Sequence, residues 1–129
     1  MVLLKSMKAG SYTVSVHDIS EGGIPVYYYY ELREGKKPIA HLITVTRPGK
    51  KTVSLHSLNA EPGLGKVATV KAFNVLYPRV EKDLVSRGIT QWTVRTNSKM
   101  AQYLQRQHGA KTRQSQGLLT VRKTLKIRR

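Results

Sequence analysis

HSLNAEPGLGKVATVKAF, His56 to Phe73, changes character in its middle. Its first residues end a run, TVSLHSL from Thr52, in which polar and apolar side chains alternate as they do on a strand with two distinct faces. Beyond the glycines the period changes. Val67, Val70, Phe73, Leu76, Val80 and Leu84 recur at spacings of three and four, the pattern of one apolar helix face. The junction EPGLGK holds a proline and two glycines, so the chain leaves a strand, turns tightly and opens a helix. A helix start carries backbone N–H groups with no intrahelical acceptor, and glycines beside it let a phosphate come close. Gly63, Leu64, Gly65, Lys66 and Val67 are therefore candidate anion-binding residues, with Lys66 adding charge. Taken alone, G-x-G beside a helix is more often only a tight turn.

Working outward, SYTVSV (Ser11 to Val16), PVYYYYEL (Pro25 to Leu32) and PIAHLITVT (Pro38 to Thr46) read as strands separated by the turns ISEGG, REGKK and RPGKK. With TVSLHSL they form an antiparallel meander. In PIAHLITVT, Ile39, His41, Ile43 and Val45 share one face and Ala40, Leu42, Thr44 and Thr46 the other; both are partly apolar, which predicts a sheet covered on both sides. Pro78 predicts a kink or a split of the helix at Tyr77, and Gly88 ends it. ITQWTV (Ile89 to Val94) is a further strand. Asn97 or Ser98 caps a second helix that runs to His108 and stops at Gly109, and AKTRQ with GLLTVRKTL makes a last hairpin around Ser115 to Gly117. The order ββββ-α-β-α-ββ is an α+β pattern. At 129 residues the chain fits one domain, residues 1–129, with a short basic tail over about 126–129.

Charge is the most unusual total: 23 Lys and Arg against 7 Asp and Glu, a formal +16. Asp83 is the last acid, so the 46 residues that follow carry eleven cations and nothing to neutralise them. A polyanionic partner would relieve that self-repulsion, which points to a nucleic acid or an acidic protein. The candidate contact residues are Arg87, Arg95, Lys99, Arg106, Lys111, Arg113, Arg122, Lys123 and Lys126. YYYY, Tyr27 to Tyr30, puts two rings on each face of its strand; a solvent-facing pair beside Arg33, Lys36 and Lys37 could stack bases of a single strand, and sheet packing is the plainer reading.

Other chemistries find no support. There is no cysteine, hence no disulfide, thiolate nucleophile or thiolate metal site, and His17, His41 and His108 lack metal-ligand spacing, so no metal is expected. Ser54, Ser57 and Ser98 stand in no nucleophile elbow. No apolar run approaches the length that spans a bilayer, and MVLLKSMKAG is too short for a signal peptide, so the protein is expected in the cytoplasm and away from membranes.

The order of elements, PGLGKV at the first helix start and NSKMAQYLQRQHGA at the second resemble the GCN5-related N-acetyltransferase (GNAT) superfamily over roughly Val26 to the last strand. In that family a meander leads into Q/R-x-x-G-x-G/A, whose amides hold the pyrophosphate of acetyl-CoA, and the next strand splays from its neighbour before a helix of the form N-x-x-A-x-x-x-Y-x-x-x-G-F. The resemblance implies a mixed, mostly antiparallel sheet of about six or seven strands with two main helices. It also implies acetyl-CoA as cofactor, bound by residues 63–67 and Asn97, with Tyr103 as general acid. His56, on the fourth expected strand, has the right chemistry for the base that strips the amine proton. Small phage-encoded members read like N-x-x-M-x-x-x-L before Gly-Ala, as here, which implies a phage origin in host cytoplasm or virion.

This sequence departs from the family pattern in three places. Matching Gly65 to the first family glycine puts Val67 at the second, and matching Gly63 and Gly65 to the pair puts Ala60 where Gln or Arg belongs. Counting from Asn97 puts Leu104 at the family tyrosine, and counting back from Gly109 puts Gln105 there; Tyr103 is offset from both. Only HDISEGG separates the first two expected strands, which leaves the N-terminal helices that normally wall the acceptor site reduced or absent. The departures point to a degenerate member with weak or absent catalysis that binds a polyanion through its basic C-terminal third. The alternatives are an active acetyl-CoA-dependent N-acetyltransferase and a viral structural or host-interaction protein.

Overall fold

Alternation builds the sheet. Aromatic and β-branched residues suit a pleated, half-buried surface, and they recur along the N-terminal half at a period of two. The computed structural model describes residues 2–20, 22, 24–96, 98–115 and 118–125. The strands are β1 (Val2–Ala9), β2 (Tyr12–Asp18), β3 (Val26–Glu34), β4 (Lys37–Thr46), β5 (Thr52–Ala60), β6 (Gln91–Thr96), β7 (Lys111–Ser115) and β8 (Leu118–Thr124); the helices are α1 (Lys66–Ser86) and α2 (Ser98–His108). All eight strands join one sheet in the order β1-β2-β3-β4-β5-β6-β8-β7. Every neighbouring pair is antiparallel except β5 and β6, which are parallel and joined through α1.

The two faces of this sheet differ. Val14, Val16, Tyr30, Leu32, Leu42, Val53, Leu55, Trp92, Val94 and Val121 are buried on one of them. Helix α1 lies there: the Tyr30 hydroxyl donates to the buried Asp83 carboxylate. Helix α2 lies on the same side, because Phe73 and Tyr77 of α1 meet the rings of Tyr103 and His108 of α2 at centroid distances of 4.7–6.4 Å. The alternate positions, among them Tyr27, Tyr29, His41, Ile43, Val45, Ser54, His56, Thr93, Arg95 and Arg122, are half-buried or exposed. Among the described residues the sheet is thus helix-covered on one side, not on both as the two apolar faces of β4 predict. Only residues 19–25 separate β2 from β3, too few for the two helices whose reduction the short HDISEGG connection predicts.

Two further expectations are corrected. VLLKSMKA pairs with β2 as an edge strand, which makes eight strands rather than six or seven. Of the kink and the split expected at Pro78, the split does not occur: α1 runs through the proline because Phe73, Leu76 and Tyr77 before it and Val80 and Leu84 after it are buried together. Burying each such side chain is worth about 1.5–3 kcal/mol, and together they exceed the roughly 3 kcal/mol a proline costs inside a helix. The stripe starts later than its periodicity suggests, since Val67 is 85 % and Val70 40 % exposed. The second helix ends as expected, with Gly109 at φ 65°. No helix among the described residues is long and apolar enough to cross a membrane.

Candidate functional site

Parallel strands β5 and β6 pair only briefly, Thr52 with Gln91, Val53 with Trp92 and Ser54 with Thr93. Beyond Ser54 they part. On its other side β5 carries an irregularity: Asn59 pairs with His41 and His56 with Ile43, which leaves two residues of β5 against Leu42 alone. Ser57, one of the two, has a left-handed φ of 53°. An extra residue bends a strand and increases its twist, and here it carries β5 away from β6. The result is a cleft of about 460 Å³ lined by residues 54–58 of β5, residues 93–96 of β6, and Thr120. Between them the facing backbone edges have no ladder partner among the described residues, so polar groups of a ligand can take that place.

Both helices begin where these two strands end. After β5, the Glu61 amide donates to the Ile39 carbonyl (2.8 Å) and the Leu64 amide to the Glu61 carbonyl (3.3 Å), which closes the turn before α1. Gly65 takes the N-cap position with φ 82° and ψ 163°, and Gly63 has φ 84°. A Cβ at either would meet nothing within 4 Å, so these glycines are needed for their backbone angles, and the space above them is open. Among the described residues no side chain caps α1, and no acid stands in its first turn. The Thr69 hydroxyl donates backwards to the Gly65 carbonyl (2.6 Å), leaving the amides of Lys66, Val67 and Ala68 without an acceptor among the described residues. Bare amides, a positive helix end and Lys66 make an anion cradle. Leu64 alone in this segment packs against the core.

The residues singled out from the sequence divide into groups. His56 is exposed and lines the cleft beside Ser54 and Ser57. Asn97 and Lys126 lie outside the described residues, as do Gln116 and Gly117 of the last turn. Tyr103 points elsewhere: its hydroxyl donates to Asn74 Oδ1 on α1 (2.8 Å) and sits 2.9 Å from His108 Nε2. With its one proton on Asn74, it accepts from the imidazole N–H. Burial pushes the Tyr103 pKa up from the ordinary phenol range. Its neighbour Leu104 is fully buried, as expected when adjacent helical positions differ by about 100°.

The basic residues also separate. Arg87 Nε lies 3.0 Å from Asp83, with its guanidinium 3.7 Å over the Tyr28 ring. Lys123 donates to Glu81 Oε1 (2.8 Å), and Glu81 also accepts from Trp92 Nε1 (2.8 Å). Lys99 and Arg106 are exposed on α2, and Arg113 belongs to β7, paired with Thr120. Arg95, Lys111 and Arg122 are exposed on strands, and Arg95 is also a cleft wall. That role was not anticipated, nor were those of Thr93, Thr96 and Thr120. The signal was present in QWTVRT, where Trp92 and Val94 must face the core and so turn Thr93 and Arg95 the other way.

No family model matches the sequence, and no curated protein matches it. Solved structures do. Aminoglycoside 6'-acetyltransferase type Ii superposes with a TM-score of 0.66 at 16 % identity over 80 % of this chain and 72 % of that one. The ribosomal-protein-S18-alanine N-acetyltransferase from Escherichia coli gives 0.58 and 16 % over 78 % and 69 %. The PaiA N-acetyltransferase from Thermoplasma acidophilum, solved in complex with coenzyme A, gives 0.59 and 13 % over 76 % and 60 %. The superpositions cover most of the chain: the protein has the fold of the GNAT acetyltransferases.

Proposed function

We propose that the protein binds acetyl-CoA or a related acyl-CoA in the β5/β6 cleft and acts as an N-acetyltransferase. One observation carries this reading: the three-residue pairing of β5 with β6 opens into a cleft, and the strand that forms one wall leads through a short glycine turn into the uncapped start of α1. The amides of residues 66–68, Lys66 and the open space over Gly63 and Gly65 fit a pyrophosphate, and the unpaired edges of β5 and β6 fit an amide-bearing arm. When bound, the cofactor supplies an activated thioester. His56 is the cleft-lining side chain suited to accept a proton from an incoming amine, and the helix-free face leaves the approach open to a large acceptor.

Isothermal titration calorimetry with acetyl-CoA tests the reading. Wild-type protein should bind, and Val67→Glu should weaken binding at least about tenfold by setting a carboxylate against the phosphates. Val67 is exposed and an acid in the first turn favours a helix, so the variant keeps its fold. Absence of binding at millimolar acetyl-CoA, or equal binding by the variant, overturns the proposal.

The position of Tyr103 favours a second reading. Its proton is engaged by Asn74 on the helix side, which leaves the cleft without that acid. In this reading the fold is kept with weak or absent turnover, and the cationic surface of the C-terminal third engages a nucleic acid or other polyanion. Such binding weakens steeply with salt, whereas a flat response across a salt series removes it.

A further inference from the structure

The pairing register aligns one row of side chains across the helix-free face. Lys111 pairs with Arg122, Arg122 with Thr93, Thr93 with Ser54, Ser54 with Val45 and Val45 with Tyr27. Five steps of about 4.8 Å make this row roughly 24 Å long. Its two ends differ. Lys111 and Arg122 are exposed at one, with Arg95 two residues along β6 from Thr93, and none of the three has an acidic partner among the described residues. Tyr27 is 37 % exposed at the other. Beside it, Tyr29 lies between the His17 and His41 rings at 6.1 and 5.5 Å. Glu31, an acid on this face, is taken up by Arg33 and by the Tyr29 hydroxyl (3.0 Å).

The surface is also grooved. A depression of about 320 Å³ is lined by Pro25, Val45, Arg47, Lys50 and Thr52 and reaches Ser54, which is also a wall of the 460 Å³ cleft. The two depressions meet at that serine. One track therefore runs from Arg47 and Lys50 to Arg95, cationic at both ends and free of acids along its lining.

We propose that this helix-free face, from Tyr27 across Ser54 and Thr93 to Arg122 and Lys111, is a binding platform for single-stranded nucleic acid. It rests on the second reading above in taking the partner to be a polyanion, and it assigns the surface and the class. The cations meet phosphates, and the exposed ring meets a base. A duplex hides its base faces from Tyr27, and an acidic peptide offers nothing planar to stack on it, so the combination selects unpaired bases.

Fluorescence anisotropy with labelled 12-nucleotide single-stranded RNA and DNA, a 12-base-pair duplex, and polyglutamate as competitor tests this. Single strands should bind more tightly than duplex at 50 mM salt, with log affinity falling against log salt at a slope of about −2 if three phosphates are neutralised. Lys111→Glu/Arg122→Glu should weaken single-strand binding at least about thirtyfold, and Tyr27→Ala roughly tenfold. Lys99→Glu/Arg106→Glu, on α2, should leave it unchanged; all variants are first matched to wild type in urea midpoint. Loss of binding in the α2 pair, or none in the sheet pair, overturns the platform while the polyanion reading stands. Duplex binding as tight as single strand, or polyglutamate competing equally with Tyr27→Ala silent, overturns the assignment to single-stranded nucleic acid. If no probe binds, the platform and the polyanion reading fall together, and acetyl-CoA binding is untouched.

Discussion

On the helix-covered face of the sheet, cations near the core are neutralised: Lys5 and Arg87 meet Asp83, and Lys123 meets Glu81. Arg95, Lys111 and Arg122 on the other face have no such partner among the described residues. The two faces come from the same strands, so alternation alone separates them. Counted along the sequence, everything after Asp83 is one acid-free block. Folded, two of its cations borrow acids from α1, and the uncompensated charge is narrower and belongs to particular surfaces. A net charge read by segment therefore overstates how much of it a partner can meet.

Breaking the covered side should have the largest effect. The Asp83 side chain is fully buried and accepts from the Tyr30 hydroxyl between the Lys5 and Arg87 cations. Asp83→Asn keeps the shape and removes the charge, leaving both cations and an edge-strand tie uncompensated. Removing one partner of a buried pair costs 3–5 kcal/mol, and since Lys5 and Arg87 keep some access to water the expected loss is at the low end, about 3 kcal/mol. Arg122→Ala on the open face should stay within about 0.5 kcal/mol of wild type. Urea denaturation measures both, and equal midpoints for the two variants would erase the contrast.

The outer side of α1 sharpens it further. Pro78 is exposed, and the carbonyl of Asn74 one turn earlier has no N–H to accept from it. Pro78→Ala restores that bond and removes a ring clash, worth about 3 kcal/mol, against up to about 1 kcal/mol of added freedom in the unfolded chain. A gain of about 2 kcal/mol is expected; a loss in urea stability would mean the proline is matched to a local distortion of the helix.

Pro78 also marks where local reading stops. A split at Tyr77, one of the two outcomes Pro78 predicts, weighs one residue's propensity, whereas the helix is held by five buried side chains on both sides of it, a sum that exists only once the sheet is present. The strands from Tyr12 onward were legible because each has alternation or strong β propensity of its own between turn residues. Edge strand β1 was not, because VLLKSMKA has no alternation of its own and is defined by its pairing to β2. At the site, EPGLGK was legible as an uncapped helix start, since proline and glycines at a change of period have few other uses. The Ser57 bulge was invisible, because nothing in LHSLN marks a residue with positive φ. The offset of Tyr103 from the family tyrosine was legible too: a shift of one residue turns a helical side chain by about 100°, and here the hydroxyl meets Asn74.

The smallest effect concerns His108, which lies on the covered side against Tyr77 at 4.7 Å and Tyr103. Burial lowers its pKa below the ordinary imidazole value of 6.5; Glu81 opposes that shift and Lys123 reinforces it. The folded protein therefore holds this proton less readily than the unfolded chain, whose histidine titrates near 6.5. Stability rises with pH wherever the unfolded state binds more protons, so this contribution is complete above 6.5 and is lost as pH falls toward the lower folded value. Urea midpoints should fall from pH 7.5 to pH 5.5, and His108→Gln should flatten the part of that slope near 6.5 while keeping a donor to Tyr103. A wild-type slope unchanged in the variant would assign the dependence to other groups and place His108 outside the balance that holds the two helices together.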